Sequence, residues 1–196
     1  MKTLFIVLAA ALIAFSANAQ LRVEGGLSLG GYNKNDNFNA KAGFVGRVLY
    51  DFSVGASASG EEFFLSVGAG YLMNNSQVKN DSGNCITNWL QVPVTFGSFY
   101  KLGSGSLYGA LGVYYAYCLS GKVTNNGNSI NIVSNDISSV NVFKRNDFGY
   151  MAQFGYVFPM NLGIYFGYNG GFLNIAAQSN SNAKNSIIEF GVLYKF

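Results

Sequence analysis

From Leu21 to Phe196 the apolar residues of this chain recur at every second position, and that period of two narrows the fold more than any other feature. Side chains of a strand alternate between its two faces, whereas a helix would scatter such residues around its circumference. The first runs are Leu21, Val23, Leu27, Leu29; then Phe44, Val48, Tyr50, Phe52; then Phe63, Leu65, Val67, Ala69, Tyr71; then Leu90, Val92, Val94, Phe96. They continue as Leu107, Leu111, Val113, Tyr115, Tyr117; as Phe148, Tyr150, Phe154, Tyr156, Phe158; as Leu162, Ile164, Phe166, Tyr168, Phe172; and as Ile188, Phe190, Val192, Tyr194, Phe196. Eight segments predict eight strands. The connections Ser53–Glu62, Lys101–Gly105 and Pro159–Asn161 are short, while Asn33–Ala40, Asn74–Asn84, Gly121–Asn146 and Ile175–Asn185 are longer and rich in Asn and Ser.

The intervening positions are mostly Gly, Ala, Ser and Gln, and charged residues make up only 11% of the chain. A soluble barrel that holds a ligand inside would usually carry Lys and Glu on its exterior. Small polar groups suit instead the tight lumen of an eight-stranded barrel whose greasy face meets lipid. Tyr50, Phe52, Phe154, Tyr156, Phe158, Tyr194 and Phe196 collect at strand ends, as interfacial rings do. The expected fold is all-β: an eight-stranded antiparallel up-and-down transmembrane β-barrel. Sixteen strands would leave no loops, which excludes a general porin.

Lys2, the apolar run Leu4–Phe15 and Ala17-Asn18-Ala19 form the charged, apolar and cleavage regions of a secretory signal peptide. The expected division is residues 1–19 as signal peptide and residues 20–196 as the barrel domain. Export together with the barrel pattern points to the outer membrane of a Gram-negative bacterium, with both termini periplasmic. Tyr194 and Phe196 on the last strand are the expected assembly signal for the barrel-assembly machinery. The expected partners are outer-membrane lipid, that machinery, and surface or secretion partners.

Chemistry is sparse. The chain has no His, so it has no imidazole base, shuttle or metal ligand. It has neither a Cys/His metal set nor a Walker-type loop, and neither enzyme activity nor a cofactor is expected. Twelve basic residues against nine acidic ones leave no concentrated footprint for nucleic acid. Gly25-Gly26 and Gly170-Gly171 lie inside strand patterns and mark bends or close backbone approach.

By parity Arg22, Glu24, Arg47, Asp51, Glu189 and Lys195 all face the lumen. Two readings follow: a charged gate or ion path, or a salt-bridged plug in a lumen too narrow for water flow, with the plug favoured because buried charges must pair. Cys85 and Cys118, the two cysteines, flank one hairpin. If Tyr100 pairs with Gly103 the two thiols face each other and a disulfide is sterically allowed; a four-residue turn offsets them and forbids it. The long segment Gly121–Asn146 is either a hydrated surface loop or a hairpin extending beyond the membrane that presents a binding edge or covers the barrel mouth.

Trp89-Leu90-Gln91-Val92-Pro93, the stretch Tyr108–Lys122 ending in Leu119-Ser120-Gly121-Lys122, Asp147-Phe148-Gly149 and Leu162–Ile175 together resemble the PorT-like outer-membrane β-barrel family of Bacteroidetes-type bacteria. Gln91 stands where that family usually has an inward Glu, and Tyr165 near a usual inward Arg. The resemblance implies the fold and an outer-membrane location; the expected function, read from the residues, is a non-catalytic barrel with a packed lumen and long surface loops for binding or envelope structure. The alternative is a narrow transport pore or, as the link of some members of that family to secretion implies, an accessory component of protein secretion across the outer membrane.

Overall fold

In a computed structural model, residues 19–33, 38–58, 60–78, 83–125, 128–133, 143–177 and 182–196 are described. The signal-peptide segment 1–18 lies outside them. The described residues form nine strands: β1 Ala19–Asn33, β2 Phe38–Ala56, β3 Glu61–Val78, β4 Asn84–Leu102, β5 Gly105–Asn125, β6 Asn128–Asn131, β7 Asn146–Val157, β8 Leu162–Gly171 and β9 Lys184–Lys195. Each pairs antiparallel with its neighbour, β1 pairs with β9, and β4 pairs with β5, so eight strands close into a ring. The short β6 folds back on the projecting end of β5 and lies outside that ring.

Alternation delivers the expected faces. Leu27, Phe44, Phe96, Leu111, Phe154, Phe166 and Phe190 stand exposed on the outer wall, while Arg22, Arg47, Gln91 and Glu189 are buried inside. On the outer wall, Tyr156 donates to Leu102 O near one end, and Tyr115 donates to Asn146 Oδ1 near the other. Leu107, paired with Tyr156, lies ten residues before Tyr117 on β5. Ten residues of tilted strand climb roughly 25 Å, the height of the apolar band on a membrane barrel.

The strands are longer than the apolar runs. Of Asn33–Ala40 and Asn74–Asn84, read from sequence as loops, residues 38–40 belong to β2, residues 74–78 to β3 and Asn84 to β4. The apolar pattern records only where the wall meets hydrocarbon, and the ladders continue above it with Asn and Ser on both faces. Within Gly121–Asn146 the chain likewise forms a hairpin, with Lys122 opposite Asn131 and Asn125 opposite Asn128.

Glycine makes two close approaches workable. At the β1–β9 seam Gly26 faces Gly191, and a Cβ at Gly191 would meet Gly25 O at 2.5 Å and the Tyr165 ring at 2.8 Å. Gly103 takes φ 63° in the β4–β5 turn and leaves Leu102 paired with Gly105. Opposite Pro93 the β3–β4 ladder is interrupted between Val67↔Val94 and Gly70↔Gln91, because proline has no N–H to donate.

The seam gives a direct test. Gly191→Val should abolish the faster-migrating compact band of unboiled protein on a detergent gel. Gly25→Ala, whose Cβ would meet nothing within 4 Å, should leave that band unchanged.

Candidate functional site: the filled lumen

The inner face is stacked in three layers. Nearest the short turns, Phe64, Phe99, Tyr108, Val157, Tyr165 and Leu193 form a buried apolar cluster. The Phe64 and Phe99 rings lie 4.7 Å apart, and Phe99 and Tyr108 lie 5.4 Å apart. The Arg22 guanidinium sits over Phe64 and Tyr108, at 5.3 and 4.8 Å from their centroids. Aromatic faces thus form the floor beneath the charges.

The middle layer is ionic. Arg47 grips Glu189 with both terminal nitrogens, at 2.8 and 2.5 Å, and its Nη1 also reaches Glu24 Oε2 at 3.4 Å. Arg22 lies 3.5 Å from Glu24 and 3.3 Å from Asp51. Neutral side chains complete the set. Arg47 Nε donates to Gln91, Gln153 Nε2 donates to Glu24, and Tyr108 donates to Gln153. Ser66 bridges Arg22 and Asp51, and Asn169 donates to Glu189. Each of the eight ring strands contributes at least one of these side chains, so the layer laces the barrel across its own interior.

Five of the six charges read from parity therefore meet in one network. Lys195 does not join it: its Nζ lies 4.0 Å from Glu62 and 3.6 Å from the Phe99 centroid, at the short-turn mouth. Gln91 and Tyr165, where the resembling family carries charges, are both inward; Gln91 accepts from Arg47 and Tyr165 packs in the floor. Sequence reasoning missed Glu62 and Asp147. Asp147 is fully buried and accepts from Tyr114 and Asn185. Its parity with outward Phe148 was the available signal.

The upper layer closes the long-loop end. Tyr32, Cys85, Trp89, Cys118, Met151 and Ile187 line it from the wall. Ile132, Val133, Phe143, Ile175, Ala176 and Ala183 descend from the connections and are buried against them. Phe143 stacks on Tyr32 at 4.8 Å. Backbone bonds fix the cover: Ile132 N donates to Gly121 O, Lys144 N to Ile175 O, and Ile175 N to Ala183 O. Of the readings for Gly121–Asn146, the described residues form a projecting hairpin whose β6 is exposed throughout, while Ile132, Val133 and Phe143 beyond it cover the mouth.

Both cysteines lie in this layer, and both are free. The β4–β5 register pairs Tyr100 with Leu107, not Gly103, so Cys85 faces Val123 and Cys118 faces Trp89. The tight turn at Gly103 sets most of that offset, and a bulge between Asn88 and Trp89 adds one residue. The candidate disulfide belonged to the other register.

A family model described as outer membrane protein beta-barrel domain matches residues 13–177. Among solved structures, the chain is similar to Ail, the attachment invasion locus protein of Yersinia pestis, at 14% identity, covering 91% of this chain and 97% of that one, with a TM-score of 0.42. It is similar to OprG of Pseudomonas aeruginosa at 12% identity, covering 91% and 96%, with a TM-score of 0.46. Neisserial surface protein A is 12% identical, with 91% and 97% covered and a TM-score of 0.48. No curated protein matches the chain.

Two outcomes follow from the lumen. Arg47→Met strands Glu189 and should destabilise the barrel by about 3–5 kcal/mol, read as a lower urea midpoint of the compact band. The double variant Arg47→Met/Glu189→Met should recover most of that loss. Free-thiol labelling of unreduced protein should modify both cysteines after denaturation and neither in the folded barrel.

Proposed function

The chain belongs to the outer membrane protein beta-barrel domain family, and on that footing we propose that it is a non-catalytic membrane barrel whose work is done outside the lumen. One observation carries the reading: the interior is occupied at all three levels, by the aromatic floor, the Arg47–Glu189 network and the loop-borne cover of Ile132, Val133 and Phe143. A chain with its core filled in this way offers partners its projecting ends. The β5–β6 hairpin and the segments around Phe143 and Ile175 form the surface for binding or for envelope architecture.

In this reading residues 1–19 are a cleaved export signal and the short turns and both termini are periplasmic. Tyr194 and Phe196 on and just beyond β9 are recognised by the barrel-assembly machinery. A second reading, an accessory of protein secretion, is supported by the PorT-like resemblance of Trp89–Pro93 and Leu119–Lys122.

Reconstituted in a planar bilayer, the purified barrel should show no steady conductance at moderate voltage. A stable open channel, abolished by charge reversal at Arg47, would overturn the plugged lumen. Protease added to intact cells should cleave within Gly121–Asn146 and spare the turn at Gly103.

A further inference from the structure

The charges outside the lumen are distributed unevenly between the two ends. Near the short turns, Glu61, Glu62, Lys101 and Lys195 balance each other. Near the long loops the described charges are Lys41, Lys122, Lys144, Arg145, Lys184 and Asp147, and Asp147 is buried. Among the described residues none of these five cations makes an ion pair. By sequence, residues 34–37, 79–82 and 134–142, outside the described residues, hold two Lys and three Asp, too few acids to offset the five cations.

The height of these cations is set by the ring of tyrosines just beneath them. Tyr115 donates to Asn146, and Arg145 is the next residue outward, its guanidinium 5.8 Å from the Tyr117 centroid. Tyr168 and Ser186 share a hydrogen bond, and Lys184 follows two residues beyond Ser186 on the same outward face of β9. Tyr71 donates to Asn88, two residues below Ile86, the partner of exposed Lys122. Lys41 donates to Asn84 at the projecting end of β4. Amphipathic rings settle at the headgroup boundary, so the cations come at the level of the headgroup phosphates.

We propose that Lys41, Lys122, Lys144, Arg145 and Lys184 form a collar that binds phosphate groups of anionic lipids in the leaflet on the long-loop side. The cations are carried by β2, β5, the β7 approach and β9, spread around the circumference. One soluble anion cannot span positions on opposite walls of a barrel, whereas a ring of lipids meets each cation separately. Arg145 already donates to the carbonyls of Cys118 and Val133, which are neutral and leave its charge for a phosphate. The short-turn end, with its balanced charges, has no such preference. The proposal rests on the membrane placement given above, with the long loops on the outer side.

The test uses the folded barrel in neutral detergent, with native mass spectrometry reading bound lipid. The probes are bis-phosphorylated lipid A, the same glycolipid after phosphatase treatment, and inorganic polyphosphate. Adducts should favour the phosphorylated lipid and weaken as salt rises. The variant Lys122→Gln/Lys144→Gln/Lys184→Gln should lower its affinity by about a hundredfold at low salt, each surface cation contributing about fivefold. Replacing the three by Arg should restore binding, and Lys101→Gln at the other end should leave it unchanged. Equal adducts with the dephosphorylated lipid, or an equal loss in Lys101→Gln, would overturn the collar. Polyphosphate binding as tightly as the lipid would overturn the lipid assignment. The compact gel band of each variant reports folding, and an open channel in a planar bilayer would defeat the plugged lumen without touching this measurement.

Discussion

A strand facing hydrocarbon has no water to satisfy its N–H and C=O groups, so each must bond to another strand and the last must bond to the first. Everything else in this structure answers to that closure. The β1–β9 seam is where it is met, and there Gly26 and Gly191 lie face to face because a side chain at either would strike the opposing backbone. Eight strands give the smallest common ring, and a ring of that size has an interior only wide enough for side chains.

That narrowness turns the usual distribution of residues inside out. The greasy positions go to the wall, and the interior receives two arginines with Glu24, Asp51 and Glu189 at its centre. Buried charges are tolerated only when each finds a countercharge and further hydrogen bonds. Here neutral partners such as Gln91, Gln153, Ser66 and Asn169 fill that need from strands that contribute no charge to the ionic layer. The aromatic floor and the loop-borne cover then keep water from both ends of the ionic layer.

The sequence carried the wall almost completely, because lipid imposes one rule on every outward position and the rule repeats each second residue. Parity also placed Arg22, Glu24, Arg47, Asp51 and Glu189 in one lumen. It could not say which would touch, since partners such as Arg47 and Glu189 are far apart in the chain and meet only through the ring. Lys195 shares their parity yet sits one level lower, where Glu62 and Phe99 receive it. Register was the hardest quantity to read: a shift of the turn at Gly103 separates Cys85 from Cys118, and the alternation is blind to shifts by an even number of residues. The polar strand extensions were missed for a related reason, since above the band the outward face meets water and carries Asn and Ser as the buried face does, so hydropathy no longer alternates.

The lacing of all eight strands also bears on how such a chain is built. Glu189 arrives on the final strand, whereas Arg47 is laid down on the second. Until the sheet curls shut, Arg47 lacks its bidentate partner and the inward face must stay wet. Desolvation of the interior and arrival of the last strand are therefore a single event, and β9 acts as a latch whose seating dries the lumen.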